Sequence, residues 1–411
     1  MAEKESGPNP GGSGRRGAIL PRTYSFTGAA PSEDPTVVTG SLIEDLRGAI
    51  CSTGPLPFVD FMRLALYHPS DGYYATRVPG HGSDYRTSPS ITPWFGRLVA
   101  RQLEAMWEAL GGPDPFWVIE VGAGLGDLAA GAMEAAGPMS DALHWRFVER
   151  FDRVRSWQRR RLGTAATSAE WAPRLGEPPV AAGCVLANEV LDNFPVHALE
   201  VIDGDRVGEI YVDIDGNHLV ERLGPLSTPD LAGPARQAAS HLDEGARFEL
   251  CPEIEVWCCQ AARALERGYL LLVDYGDVQP EIWLDNPQGT LVTNGPADVG
   301  PSPLDDPGSK DITAKVNFSA VLQAVEAAGF SPEPLVSQRT WLLSLGLAQV
   351  ADEIEAAGFL SALEGWLEQA EVLQGELGLL MELGAVGGLG DLLVLRGGKG
   401  APAVVGPGSI A

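Results

Sequence analysis

The chain has 411 residues, of which 45% are hydrophobic, so it can bury a large core without disulfide or metal cross-links. Its formal net charge of −26 disfavours a nucleic acid or an anionic membrane surface as partner, because phosphate binding requires clustered Lys and Arg. The five cysteines form no Cys-x-x-Cys pair and the six histidines show no ligand spacing, so we predict no metal site and a reducing, cytoplasmic location. Apolar runs fall short of the roughly 20 residues that a membrane helix needs.

The first third of the chain precedes the predicted nucleotide-binding core. Residues 1–40 are rich in Gly, Pro and Ser without apolar periodicity, which indicates a disordered leader. Residues 41–112 are predicted to form an N-terminal helical and loop region, with apolar positions at helical spacing. Within it, residues 66–96 combine Gly, Pro, Tyr and hydroxyl residues, the composition of a long ordered loop where function is often carried.

A glycine-rich turn follows the first buried strand, which we place at residues 117–121. The turn contains three alternate glycines: Gly122, Gly124 and Gly126. A dinucleotide fingerprint would need its third glycine where Asp127 stands, so the spacing disfavours NAD(P). Instead Glu120 lies two residues before the first glycine, the arrangement of S-adenosylmethionine (SAM) methyltransferases. SAM carries an amino group, a sulfonium and a ribose diol, all of which suit nearby carboxylates.

The second predicted strand, residues 144–149, ends in an acid. Glu149 can accept hydrogen bonds from both ribose hydroxyls, and it lies 23 residues after Gly126. The helix predicted for residues 150–162 is rich in arginine, which favours a solvated face.

A third strand ends at a group of polar side chains. Asn188 and Glu189 follow the apolar run from Cys184, and Asp192 comes three residues later. Because ligands bind at the carboxyl ends of strands in such sheets, we expect these side chains to project towards the transferable methyl group. Carboxylates there could hold a guanidinium or amine, or accept its proton.

The remaining chain continues the predicted core, residues 113–396. Two Asp-Gly dipeptides between alternating runs predict a β-meander inserted at residues 199–245. A last strand is predicted at residues 389–396, and residues 397–411 are predicted to form a flexible tail.

Several of these stretches together resemble the MidA-type methyltransferases. They are Leu66–Pro69 with Gly72–Tyr74, the segment Asp84–Pro89, and Asn-Glu-x-x-Asp-x-x-Pro-Val-His at 188–197. The acid of the second strand is followed in the family by an arginine and a glutamine, as Arg155 and Gln158 follow Glu149 here. The family includes a mitochondrial arginine methyltransferase that acts in respiratory complex I assembly.

The resemblance implies an α/β, Rossmann-like fold with a mostly parallel sheet of about seven strands, SAM as cofactor and a protein arginine as acceptor. The residues assigned to SAM are Glu120, Gly122, Gly124, Gly126, Glu149 and Asn188, with Thr87 and Ser88 as further candidates for either ligand. Glu189 and Asp192 are assigned to the acceptor as catalytic residues.

Alternatives stay open on the residues alone. The family's histidine after the Gly-Thr-Leu equivalent is missing here, which leaves a small-molecule N- or O-methyltransferase open. A SAM-binding assembly factor with little turnover is a second alternative, and a Rossmann dehydrogenase is a more distant one. The acceptor is therefore a protein or a small molecule, a homodimer is left open, and the abundance of Arg, Ala, Gly and Pro suggests a GC-rich bacterium.

Overall fold

The computed structural model describes residues 41–77, 87–176, 178–295, 301–363, 367–383 and 392–404. The predicted leader, residues 78–86 of the loop and residues 405–411 of the predicted tail lie outside the described residues.

The strands, in chain order, are β1 (Leu56–Pro57), β2 (Phe116–Val121), β3 (Leu143–Val148), β4 (Ala169–Ala172), β5 (Val180–Asn188), β6 (His197–Asp203), β7 (Arg206–Asp215), β8 (His218–Gly224), β9 (Arg247–Leu250), β10 (Leu265–Asp277), β11 (Val292–Asn294), β12 (Asp311–Thr313), β13 (Val316–Asn317), β14 (Ser331–Pro332), β15 (Val336–Ser337) and β16 (Leu392–Lys399). The α-helices are α1 (Leu42–Thr53), α2 (Phe58–Tyr67), α3 (Tyr73–Thr76), α4 (Ser88–Ile91), α5 (Trp94–Ala109), α6 (Asp127–Glu134), α7 (Asp152–Leu162), α8 (Ala232–Ala239), α9 (Glu253–Arg263), α10 (Glu281–Leu284), α11 (Phe318–Ala327), α12 (Gln338–Ser344), α13 (Leu347–Leu363) and α14 (Leu367–Leu383).

The central sheet follows the order β14-β16-β10-β5-β2-β3-β4. Strands β10, β5, β2, β3 and β4 run parallel, and β16 pairs antiparallel with β10. This arrangement confirms the predicted Rossmann-like fold with a mostly parallel sheet. Because β2 lies between β3 and β5, the chain direction across the sheet reverses there, which opens a crevice at the carboxyl ends of these strands.

Helices cover both faces of the central sheet, as the near-continuous apolar strands require. Leu270 and Leu271 are adjacent in β10, so their side chains enter opposite cores. On one face the core includes Phe95 of α5 and Trp341 of α12, and on the other it includes Trp257 of α9, with all three rings almost fully buried.

The predicted meander forms a second, antiparallel sheet of β6, β7 and β8, with its turns at Gly204 (φ 56°) and Gly216 (φ 60°). Strand β1 from the N-terminal region and β9 complete this sheet. Phe61 and Met62 of α2 pack with Val212 of β7 in a shared core. The insertion therefore holds α2 and α3 beside the carboxyl ends of the central strands.

Two features differ from or add to the sequence predictions. Strand β16 continues to Lys399, past the predicted tail boundary at residue 397, because Gly397 and Gly398 still pair with β10. Helix α1 begins with a capping box between Ser41 and Glu44, which satisfies N–H groups of its first turn.

None of the helices in the described ranges is long and apolar enough to cross a membrane.

Candidate active site

A cavity of about 500 Å³ lies at the carboxyl ends of β2, β3 and β5. Eight of the predicted site residues line it: Thr87, Glu120, Gly122, Gly124, Glu149, Asn188, Glu189 and Asp192. Gly126 and Ser88 lie just behind this wall. The residues from Glu120 to Asp192 lie at or just after strand ends and converge on one cavity, as the strand-end rule predicts, and Thr87 joins them from the loop before α4.

The glycine turn requires glycine for two reasons. Gly122, Gly124 and Gly126 have φ values of 65°, 51° and 87°, all in the left-handed region. A Cβ at Gly122 would also lie only 2.9 Å from Cγ2 of Val190. Gly126 shapes the turn rather than lining the cavity, because its N–H donates to the carbonyl oxygen of Ala123 at 2.8 Å just before α6 begins.

Gln158 supports the turn from behind. Its Nε2 donates to the carbonyl oxygen of Gly124 at 3.0 Å, and its Oε1 accepts from Nε1 of Trp171 at 2.8 Å. Gln158 is fully buried although α7 was predicted to present a solvated arginine face. The family resemblance was the signal for this residue, since charge and periodicity alone do not indicate it.

The two predicted cofactor carboxylates are held in buried positions. Glu120 accepts a hydrogen bond from Nε1 of Trp145 at 2.8 Å, and burial raises its pKa to about 8. Glu149 accepts from the backbone N–H of Phe151 at 2.9 Å, and burial raises its pKa as well. Arg155 donates from Nε to the carbonyl oxygen of Glu149 at 2.7 Å, which fixes the chain where β3 ends.

Glu189 has an uncommon backbone conformation for a residue with a side chain, with a φ of 53°. Its Oε1 accepts from the backbone N–H of Ser88 at 2.9 Å and from Nδ2 of Asn188 at 3.0 Å. Burial raises the pKa of Glu189 to about 7. The Ser88 hydroxyl donates to Oε1 of Gln338 at 3.2 Å, and the role of Ser88 as a ligand stays a prediction.

Asp192 belongs to a group of neighbouring carboxyls that includes Glu189. Burial and the neighbouring Asp274, Asp311 and Glu189 raise the pKa of Asp192 well above its ordinary range. Asp274 lies beneath the loop, where its Oδ2 accepts the N–H groups of Val190 at 3.0 Å and of the next residue at 2.8 Å. It therefore positions Glu189 and Asp192 without lining the cavity.

Asp311 is a cavity residue that the sequence did not assign. Its Oδ1 accepts from the hydroxyl of Tyr74 at 3.0 Å and from Nδ2 of Asn193 at 3.0 Å. Tyr74 in turn stacks on Tyr67 with ring centroids 5.4 Å apart. The family resemblance resumes at Asp311, but nothing local in the sequence shows that this strand returns to the cavity.

Two acceptor atoms in the cavity stand out in the described part of the chain. Oδ1 of Asn188 and Oδ1 of Asp192 are buried and have no hydrogen-bond partner there. Buried acceptors are nearly always satisfied in folded proteins, so these atoms indicate a bound donor group. A positively charged donor suits them best, because Glu189, Asp192 and Asp311 surround them with carboxyls.

Comparison with known sequences decides the class of protein. A family described as "Putative S-adenosyl-L-methionine-dependent methyltransferase" matches residues 98–335, more than half of the chain. The chain belongs to this MidA-type methyltransferase family. The relatives include the protein arginine methyltransferase NDUFAF7 homolog, mitochondrial, of Drosophila melanogaster, which is 30% identical over 327 residues and 71% of each chain. The human protein arginine methyltransferase NDUFAF7, mitochondrial, is 27% identical over 79% of this chain and 77% of its own.

A solved structure agrees with the sequence comparison. A "likely methyl transferase" of Burkholderia thailandensis, bound to S-adenosyl-homocysteine, superposes with a TM-score of 0.78. It is 29% identical and covers 90% of this chain and 94% of its own. The MidA-type protein is thus an enzyme, a methyltransferase, and its cofactor is S-adenosyl-L-methionine, as predicted.

The residues of this chain fit that cofactor. The left-handed glycines bring backbone close to a ligand, and the carboxyls of Glu120 and Glu149 can accept from hydroxyl or amino groups. The buried Oδ1 of Asn188, which has no hydrogen-bond partner in the described ranges, adds a neutral acceptor to the same cavity. When bound, SAM supplies a methyl group on a positively charged sulfonium.

Proposed function

We propose that this methyltransferase methylates arginine side chains of a protein. The observation that carries the proposal is the buried Oδ1 of Asp192, which has no hydrogen-bond partner among the described residues and lies in a group of carboxyls with Glu189. A guanidinium has a positive charge and five N–H donors, so it can satisfy several acceptors at once. The names of the Drosophila and human relatives support the same acceptor.

Glu189 would bind the guanidinium in a defined orientation. Its Oε1 is fixed by Ser88 and Asn188, which leaves the other carboxylate oxygen to accept from the acceptor nitrogen. Holding that nitrogen in line with the methyl group would supply much of the rate acceleration. With its pKa near 7, Glu189 is also suited to take the proton that the nitrogen loses on methylation.

Asp192 would complete the binding of the same group. Its carboxyl is buried beside Glu189 and Asp311, and repulsion among these groups falls when a cation enters. We therefore assign Asp192 to charge recognition and Glu189 to orientation and proton transfer.

The test is mass spectrometry of methylarginine in the proteome of cells with and without the gene. We expect one or more methylarginine sites to disappear in the deletion strain and to return with the wild-type gene. Glu189→Gln should not restore them, because methyl transfer should fall about 100-fold or more. Glu266→Gln, which removes an exposed carboxyl near the start of β10, is the matched control and should restore them.

Purified protein with labelled SAM and cell extract separates the alternatives. Label that enters only small molecules would overturn the arginine proposal in favour of a small-molecule acceptor. Full rescue of the deletion strain by Glu189→Gln with Asp192→Asn, in a protein that still binds SAM, would indicate an assembly role instead of catalysis.

A further inference from the structure

Helix α7 and the residue pair before it carry a concentration of positive charge on an acidic protein. Residues 150–161 contain six arginines and one aspartate, whereas the whole chain has a net charge of −26. Arg155 pairs with Asp152 at 3.1 Å and Arg161 pairs with Asp127 at 2.6 Å. The other four, which we call the arginine stripe, form no ion pair with a carboxylate in the described ranges: Arg150, Arg153, Arg159 and Arg160.

Two arginines of the stripe stack on tryptophan rings. The guanidinium of Arg159 lies 4.1 Å from the ring centroid of Trp171, and that of Arg160 lies 4.3 Å from the ring centroid of Trp157. Both arginines are exposed. Stacking uses the flat face of a guanidinium and does not occupy its N–H donors, which lie in the plane. Nε of Arg160 donates to the carbonyl oxygen of Ser156 at 3.3 Å, so its terminal nitrogens are the ones offered to a carboxylate.

The stripe starts at the opening of the cavity. Arg150 is exposed and lines the cavity, and Arg153 donates to the carbonyl oxygens of Thr76 and Arg77, both at 2.8 Å. These contacts fasten α7 to the segment that carries Tyr74, which is also a cavity residue. Arg160 lies two helical turns beyond Arg153 on the same face, a distance of ~10 Å at 1.5 Å per residue.

The cavity and its surroundings therefore have opposite charge preferences. Inside, Glu189, Asp192 and Asp311 favour a cation, whereas Arg150 at the opening and the rest of the stripe beyond it favour an anion. At physiological ionic strength the screening length is about 8 Å, so a docked segment responds to the stripe more than to the net charge of the protein. A short stripe of this kind suits a few carboxylates better than the continuous phosphates of a nucleic acid.

We propose that the arginine stripe binds an acidic segment of the acceptor protein, adjacent to the arginine that enters the cavity. This inference rests on the proposed function and names the local sequence of the substrate. An extended chain advances about 3.3 Å per residue, so the ~10 Å stripe places the acidic residues roughly three to six positions from the target arginine. The acceptor would therefore pair one arginine with a nearby Asp- or Glu-rich run.

The first experiment measures docking without methylation. A fluorescein-labelled peptide of alternating Glu and Gly, without arginine, is titrated with the full-length protein by anisotropy. We expect binding that weakens with added salt and that falls about tenfold in the Arg159→Glu, Arg160→Glu variant. Arg206→Glu with Arg222→Glu is the matched control, since it makes the same charge change at exposed positions of the meander and should leave binding unchanged. Equal binding of the peptide to both double variants would overturn the inference. So would displacement of the peptide by a competitor peptide without acidic residues, or tighter binding of a single-stranded RNA that carries the same number of charges.

The second experiment separates this inference from the proposed function. Peptides with one arginine and acidic, neutral or basic flanks are incubated with labelled SAM. We expect kcat/KM to be about tenfold higher with acidic flanks, and this preference to disappear in the Arg159→Glu, Arg160→Glu variant while SAM affinity is retained. If kcat/KM is the same for acidic, neutral and basic flanks, the docking proposal is wrong and the proposed function stands. If the acidic peptide binds through the stripe but no arginine substrate is methylated, the proposed function fails and the docking proposal stands.

Discussion

The backbone N–H of Ser88 donates a 2.9 Å hydrogen bond to Oε1 of Glu189, a residue 101 positions later in the chain. A donor to the carboxylate stabilises its charged form, and it therefore opposes the burial that raises the pKa of Glu189 to about 7. Methyl transfer that needs the carboxylate should increase with pH through this value.

Replacing Ser88 tests that bond directly. Ser88 is the first residue of α4, a position that tolerates proline, so Ser88→Pro removes the N–H with little change in the helix. We expect the rising limb of the kcat profile to move to higher pH by about one unit, the equivalent of one charge-assisted hydrogen bond. Ser88→Ala keeps the N–H but loses the hydroxyl, which bonds Gln338 and lowers the pKa of Glu189 less than the N–H does, so its profile should move less than that of Ser88→Pro. The same midpoint in both variants would show that this bond does not control Glu189.

Gly122 should tolerate no side chain. An alanine there faces both a left-handed φ of 65° and Cγ2 of Val190 at 2.9 Å. We expect Gly122→Ala to lower SAM affinity at least tenfold by calorimetry and to lower stability by more than the ~1–2 kcal/mol of the backbone conformation. Gly111→Ala, with a φ of 83° and no atom within 4 Å of the added Cβ, isolates the backbone cost and should leave SAM affinity intact. Adding Val190→Ala to Gly122→Ala should restore part of the loss.

Gln158 should influence SAM binding through the turn it supports. Gln158→Leu keeps a similar volume but leaves the Gly124 carbonyl and the Trp171 indole without their partner. We expect weaker SAM binding and a stability loss of about 1–3 kcal/mol for the unsatisfied groups, measured by urea unfolding. Trp171→Phe removes one of these groups, so the double variant should be less destabilised than the sum of the single variants. Strict additivity would argue against the hydrogen-bonded chain.

Glu120 should make stability depend on pH in the absence of SAM. Its pKa is raised from 4.5 to about 8 by burial, so the folded state retains a proton that the unfolded state releases. The stabilisation is complete below pH 4.5 and is lost as the pH rises through about 8. Glu120→Gln should remove this loss, and its stability relative to wild type should improve by at most about 1.4 kcal/mol per pH unit between pH 5 and 8. Glu266→Gln, at an exposed position, should show no such trend in the same unfolding series.

The strand-to-turn stretch around Gly122 was predictable because its signals are local. Alternate glycines after a β-branched apolar run, with an acid two residues earlier, indicate both the strand and the type of cofactor. Asn188, Glu189 and Asp192 were predictable for a different reason. In a parallel sheet, strand ends meet at one edge, so the position of each residue along its own strand is enough to bring them together.

Other parts of the site were not predictable from the residues. Asp311 lies on a short strand whose sequence shows little periodicity. The hydroxyl of Tyr74, from the N-terminal region, holds its carboxylate at the cavity. The meander was predicted, but its union with β1 and α2 was not, because strand pairing between distant segments depends on the path of the chain.

The sequence alone determined the glycine turn with its strand and helix, the acids at the strand ends and the cofactor, all of which follow from short-range spacing. Only the tertiary structure decided that Ser88 donates its backbone N–H to Glu189 and that Gln158 holds the glycine turn in place. Hydrogen bonds and burial between residues far apart in the chain arise from packing, and local periodicity does not contain that information.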